Sequence, residues 1–127
     1  MGLEEAILRG QAYINAGADV LFVEAPQSVA ELQVIAAAFP HIPLVANIVE
    51  GGKTPPISPV ELQNLGFKIV FFPLTALMAV TEVMNSCFRH LQEQGTTDNL
   101  SGLMNFQAFQ NLMGVPEYLA VEKEYKE

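Results

Sequence analysis

The chain has a single cysteine, Cys87, so no disulfide can form within it, and a lone thiol fits a reducing cytoplasm. Basic residues are scarce: 6 Lys and Arg stand against 14 Asp and Glu, for a formal net charge of −8. Nucleic acid is bound through clustered Lys and Arg, so this balance argues against it, and equally against an anionic membrane surface. No apolar run approaches the ~20 residues of a membrane span, and the start lacks the basic-then-apolar order of a signal segment. The expected setting is therefore cytoplasmic, with neither nucleic acid nor membrane as a partner. Asn99-Leu100-Ser101 formally matches a glycosylation acceptor, which without a signal segment reads as coincidence. Much of the acid lies in the tail, at Glu117, Glu122, Glu124 and Glu127, where a solvated helix face is expected.

Apolar residues, by contrast, are plentiful. They make up 50% of 127 positions, enough chain for one domain with its own core. That richness predicts strands buried on both faces, as in parallel α/β sheets. Three short apolar segments are candidates: VLFVEA from Val20 to Ala25, IPLVANI from Ile42 to Ile48, and FKIVFF from Phe67 to Phe72. Between them the helix signals are clear. Ser28 with Glu31 and Ser58 with Glu61 have capping-box spacing, and Pro59 suits a first helical position. Leu3, Ile7, Gly10 and Ile14 fall on one helical stripe that Gly17 can stop. Leu77, Val80, Met84, Cys87 and Leu91 line one face of a longer helix ended by Gly95. A tail follows with a break at Gly114 and a helix start near Pro116. Strand–helix–strand units of this length make parallel sheets with right-handed crossovers.

The stretch VANIVEGGKTPPISPVEL, residues 45 to 62, imitates a phosphate loop at Gly51-Gly52-Lys53-Thr54. The imitation fails on spacing. Five positions before Gly52 stands Asn47, where the signature needs glycine, and Pro55-Pro56 block a helix directly after Thr54. Functional groups in parallel α/β folds gather at the carboxyl ends of the strands. Glu24, Asn47 and Glu50 fall there. A carboxylate ending a buried strand is costly unless it is paired or bound to a cation. Glu24 is thus either a binding-site group or a partner for backbone amides of the next loop. His41 and His90 read as surface residues, Cys87 as a buried inert thiol, and Met78, Met84, Met104 and Met113 as core or interface packing. No Ser–His–Asp arrangement or metal-ligand cluster is visible.

The segments AGADVLFVEAP, PLVANIVEGGKTP, ELQNLGFKIVFFPLTALMA and LMNFQAFQNLMGVPEYLAVEKEY resemble, in order, segments of the isocitrate lyase/phosphoenolpyruvate mutase superfamily. The likeness is strongest to the branch of methylisocitrate and dimethylmalate lyases, oxaloacetate hydrolases and carboxyphosphonoenolpyruvate mutase-like proteins. It implies part of a (β/α)8 barrel, with the three strands as the sixth to eighth. It also implies Mg²⁺-assisted cleavage or formation of C–C or P–C bonds in small 2-oxo- or hydroxy-carboxylates. By position, Glu24 resembles the family's active-site glutamate near the metal-bound substrate, and Asn47 the residue that hydrogen-bonds a substrate carboxylate. Glu50 and Gly51 match the loop that follows.

The acidic metal ligands, the Lys-Arg-Cys-Gly-His-like loop and a fifth-strand arginine have no counterpart in the sequence, so no complete catalytic set and no metal ligands are expected. Met78 replaces an arginine and Val49 a threonine of methylisocitrate-type lyases, which favours a smaller dicarboxylate. Glu24 and Glu50 are expected to share a rim with Lys53 as the only nearby cation. The resulting expectation is a C-terminal part of a Mg-dependent lyase or mutase, inactive by itself. Residues 1–95 would form the α/β units, and 96–127 a helical tail exchanged between subunits of a homo-oligomer. The alternatives are a stand-alone half-barrel that oligomerises or binds a metabolite, and a subunit completed by a separate chain.

Overall fold

A computed structural model describes residues 2–125, so Glu127 of the acidic tail lies outside the described residues. The elements run α1 (Leu3–Asn15), β1 (Leu21–Phe22), α2 (Val29–Ala38), β2 (Leu44–Asn47), α3 (Pro59–Leu65), β3 (Ile69–Phe71), α4 (Thr75–Gln94), α5 (Phe106–Leu112) and α6 (Val115–Glu124). By its internal contacts the chain divides into two units, residues 1–82 and 83–127.

In the first unit the strands pair in parallel in the order β1-β2-β3, with Leu21 opposite Leu44, Val45 opposite Ile69 and Asn47 opposite Phe71. They are shorter than the apolar segments that announce them. β1 pairs on one side only, and its line is broken where Ala25 takes a left-handed φ of 55°. Leu21, Leu44, Ala46 and Ile48 join Leu32 and Ile35 of α2, Leu62 of α3, and the flanking Phe39 and Phe67 in the core. Burying each large side chain contributes roughly 1.5–3 kcal/mol relative to exposure. Leu3, Ile7 and Ile14 of α1 pack on this cluster, and Gly10 meets the ring of Phe39 so closely that a Cβ there would lie 2.7 Å from Cζ.

The expectation of strands buried on both faces is corrected. The register puts Phe22, Val45 and Ile69 in one row on the face away from the core, with Phe71 one row further along. Phe22 is 45%, Ile69 37% and Phe71 53% exposed. Helices α1 to α3 cover one face only, so the strands alternate buried and open like a one-sided sheet.

Local capping follows the sequence with one difference. At α3 the box is complete: Glu61 N–H donates to Ser58 Oγ at 3.2 Å, and Ser58 N–H to Glu61 Oε2 at 3.0 Å. At α2 Glu31 N–H donates to Ser28 Oγ at 3.1 Å, but the Glu31 carboxylate accepts from Gln27 N–H at 2.7 Å instead of from Ser28. The carboxylate thereby fastens the residue before the cap.

The stripe on α4 is exposed, with Leu77 and Met84 open to solvent and Cys87 half-buried instead of fully buried. Met78, Met104 and Met113 are likewise exposed, so none of these methionines belongs to the core of this chain. In the second unit, His90 is half-buried and its Nε2 lies 3.0 Å from the Asp98 carbonyl oxygen, while His41 in the first is exposed. Asn105 caps α5 by accepting from Ala108 N–H at 2.8 Å, and Gly114 precedes α6, which carries Pro116 in its first turn. Among the described residues no helix is long and apolar enough to cross a membrane.

Candidate functional site at the carboxyl ends of the strands

Continuing the β1–β2 register by two residues past Phe22–Val45 sets Glu24 level with Asn47, at the carboxyl end of the sheet. Both line one open cavity of about 350 Å³ with Ala25, Val49, Gly52, Lys53 and Thr54. Glu24 lies two residues past the end of β1 as an exposed carboxylate, on the same alternation as exposed Phe22. The premise that it terminates a fully buried strand is therefore corrected. Asn47 is half-buried on the central strand, where pairing with Phe71 of β3 holds its backbone.

The loop after β2 is built by two hydrogen bonds. Ile48 N–H donates to Phe71 carbonyl oxygen at 2.9 Å and so prolongs the ladder. Gly52 N–H donates to Val49 carbonyl oxygen at 2.9 Å and closes a four-residue turn. Its third residue, Gly51, has φ 71°, which a turn of this kind requires and glycine adopts without a Cβ penalty. Gly52 is needed for a different reason: a Cβ would stand 3.0 Å from the Val49 carbonyl oxygen. The Gly-Gly pair is thus a turn that swings Lys53 toward Glu24 and Asn47, and not a phosphate cradle.

Glu50 and Gly51 face elsewhere. They line a second cavity, of about 500 Å³, with Ile48, Pro56, Ser58 and Phe72. There the Glu50 carboxylate accepts a hydrogen bond from the Thr75 hydroxyl at the start of α4. That bond, helped by backbone N–H donation and opposed slightly by desolvation, holds Glu50 below its ordinary 4.5. Glu24 and Glu50 line different cavities at this end of the sheet, and the two cavities adjoin through Val49, Gly52 and Thr54, which line both. Lys53 is not the only cation nearby. A third cavity, of about 480 Å³, is lined by Glu24 and Lys53 together with Arg9 and Tyr13 of α1.

Two participants escaped the sequence reading. Arg9 sits on a helix before the first strand, where nothing in the spacing foretells approach to Glu24. Thr75 was within sight: it opens α4 after the short connection that follows β3, at the same carboxyl end as the other groups. As a donor set, the side chains of the cavity offer one carboxylate, one carboxamide, one ammonium and the Thr54 hydroxyl. Among the described residues no group of three or more His, Cys, Asp or Glu is placed to hold a metal ion. Mg²⁺ needs near-octahedral oxygen ligation, commonly through one or two carboxylates with waters and substrate. Glu24 by itself does not make such a site, so these residues do not fit a resident metal.

Residues 1–92 match the phosphoenolpyruvate phosphomutase family. The chain belongs to this family, within the isocitrate lyase/phosphoenolpyruvate mutase superfamily. It is 37% identical over 125 residues to 2,3-dimethylmalate lyase of Eubacterium barkeri, covering 98% of this chain and 43% of the lyase. A crystal structure of 2,3-dimethylmalate lyase superposes with a TM-score of 0.84 at 32% identity, over 98% of this chain and 42% of that one. Phosphonopyruvate hydrolase in complex with oxalate and Mg²⁺ superposes with a TM-score of 0.79 at 25% identity, over 99% of this chain and 45% of that one. The chain thus spans about two-fifths of the length of the curated relatives it matches. The three-stranded parallel sheet thus matches part of the (β/α)8 barrel of these relatives, and its open face is the one that carries Glu24 and Asn47.

Proposed function

We propose that this chain supplies one part of the substrate rim of a Mg-dependent carbon–carbon bond lyase or mutase acting on small 2-oxo- or hydroxy-dicarboxylates. The observation that carries the reading is the meeting of Glu24, Asn47 and Lys53 around one cavity at the carboxyl ends of the strands. Asn47 and Lys53 are hydrogen-bond donors suited to a substrate carboxylate, and Glu24 is an acceptor beside them. The dimethylmalate lyase likeness supports the reaction class, and the oxalate–Mg²⁺ complex of a relative supports the metal. Any such metal would need ligands beyond Glu24, Asn47 and Lys53. Val49 walls the cavity with an apolar side chain, which suits a dicarboxylate better than a larger tricarboxylate.

The same inventory supports inactivity of the chain by itself, since an anionic substrate beside Glu24 needs cationic charge that this donor set does not supply in full. Two measurements test the proposal. A thermal-unfolding scan with millimolar Mg²⁺ plus oxalate should leave the midpoint of this chain unchanged. Binding at ~100 times the dissociation constant would add about 2.7 kcal/mol, and a shift needing both additives would overturn the claim of inactivity. Grafting these residues in place of the matching segment of 2,3-dimethylmalate lyase tests the reaction class. The graft should cleave its substrate, and Glu24→Gln or Asn47→Ala within it should lower kcat/KM by about 100-fold or more. A folded graft insensitive to both changes rules the assignment out. A second reading, an oligomerising half-barrel, is favoured by the open sheet face bearing Phe22, Ile69 and Phe71; it predicts a defined oligomer and an inactive graft.

A further inference from the structure

Segments 48–54 and 71–75 are tied twice, and the two ties differ in kind. The first is backbone: Ile48 N–H to the Phe71 carbonyl. The second is a side-chain bond across 25 positions of sequence, from the Thr75 hydroxyl to the Glu50 carboxylate. Between Ile48 and Glu50 lies Val49, which walls the Glu24–Asn47 cavity, and after Glu50 the turn presents Gly52, Lys53 and Thr54 to it. Glu50 itself lines the neighbouring cavity instead.

We infer that Thr75 is a positioning residue: through Glu50 it clamps the turn after β2, and the clamp, not contact with substrate, is what Glu50 contributes to the site. A loop fastened only at Ile48 could rotate about Val49 and carry Lys53 away from Glu24. Fastening Glu50 to the first residue of α4 removes that freedom, because a helix start joined to a paired strand by only three residues is a fixed anchor. An acceptor at 50 and a hydroxyl at 75 suffice, so serine can replace threonine and valine cannot.

The inference rests on the proposed reading of the Glu24–Asn47 cavity for its consequence, but its test needs no ligand. Amide hydrogen exchange is followed at Gly52, whose N–H closes the turn, with Ile48 as internal reference. Thr75→Val should speed exchange at Gly52 severalfold relative to Ile48, Glu50→Ala should do the same, and the double variant should add nothing further. Thr75→Ser should restore the wild-type ratio. An unchanged Gly52 ratio in Thr75→Val, additive effects of the two single changes, or equal acceleration in the valine and serine variants would each overturn the clamp. Those failures leave the substrate reading standing. Conversely, an inactive lyase graft removes that reading and leaves the clamp intact.

Discussion

Glu50 shows how one hydroxyl sets the behaviour of a carboxylate that solvent reaches freely. Thr75 donates to the charged form, so protonation costs that bond and the carboxyl titrates below its ordinary 4.5. Because the folded value is lowered, the stabilising contribution is present above 4.5 and is lost as pH falls through the folded value. A carboxyl-carbon NMR titration should place the Glu50 midpoint below 4.5 and return it toward that value in Thr75→Val. Glu61 is lowered for the same reason, by the Ser58 hydroxyl and backbone N–H. It supplies the internal control, because Thr75→Val should leave its midpoint where it was. Neither partner is visible in a linear reading for Glu50: residues 50 and 75 meet only after two strands have paired, whereas Ser58 and Glu61 are three apart in sequence.

At the scale of elements, the helices with written signals formed where those signals stand. Ser58-Pro59-Val60-Glu61 opens α3, and its stripe delivers Leu62 into full burial. Ser58→Ala should cost about 1 kcal/mol in urea unfolding through loss of the cap. Leu62→Ala should cost about 2–5 kcal/mol through transfer loss plus cavity. A smaller effect of the second than of the first would mean that α3 is held by its ends and not by its face.

The strands were legible as segments but not in length or environment. Apolar composition cannot tell a strand packed on both faces from one packed on a single face, because Phe22 and Ile69 are as apolar as Leu21 and Leu44. Only pairing register separates them. The same limit applies to α4, where a clean stripe from Leu77 to Leu91 predicts a partner surface without saying whether these residues supply one. Of the site, Glu24 and Asn47 could be read because each ends an apolar segment. Arg9 could not, since its approach depends on how α1 packs through Gly10 and Phe39.

For the whole molecule, the sheet face away from the core is open to apolar contact. Phe22, Ile69 and Phe71 line one face, and a contiguous apolar patch of this kind is uncommon on monomeric proteins. Sedimentation velocity should show association that grows with concentration. Phe71→Lys should weaken it while leaving the unfolding midpoint of the dilute chain nearly unchanged, because position 71 contributes nothing to the buried core. A variant that associates as strongly as the original would move the interface to another surface, such as the exposed stripe of α4.

The alternation that gives the sheet its two faces has one more consequence. Leu21, Leu44 and Ala46 hold the strands to the helices, while Asn47, and Glu24 two residues past β1, fall on the opposite side. A slip of one position would exchange the two sets and bury the polar pair, so the packing of the core also fixes the placement of the rim. The core and the rim are thereby written on separate letters of one short text. Val49 and Lys53 likewise lie outside the hydrophobic core, so exchanging them disturbs none of its side chains.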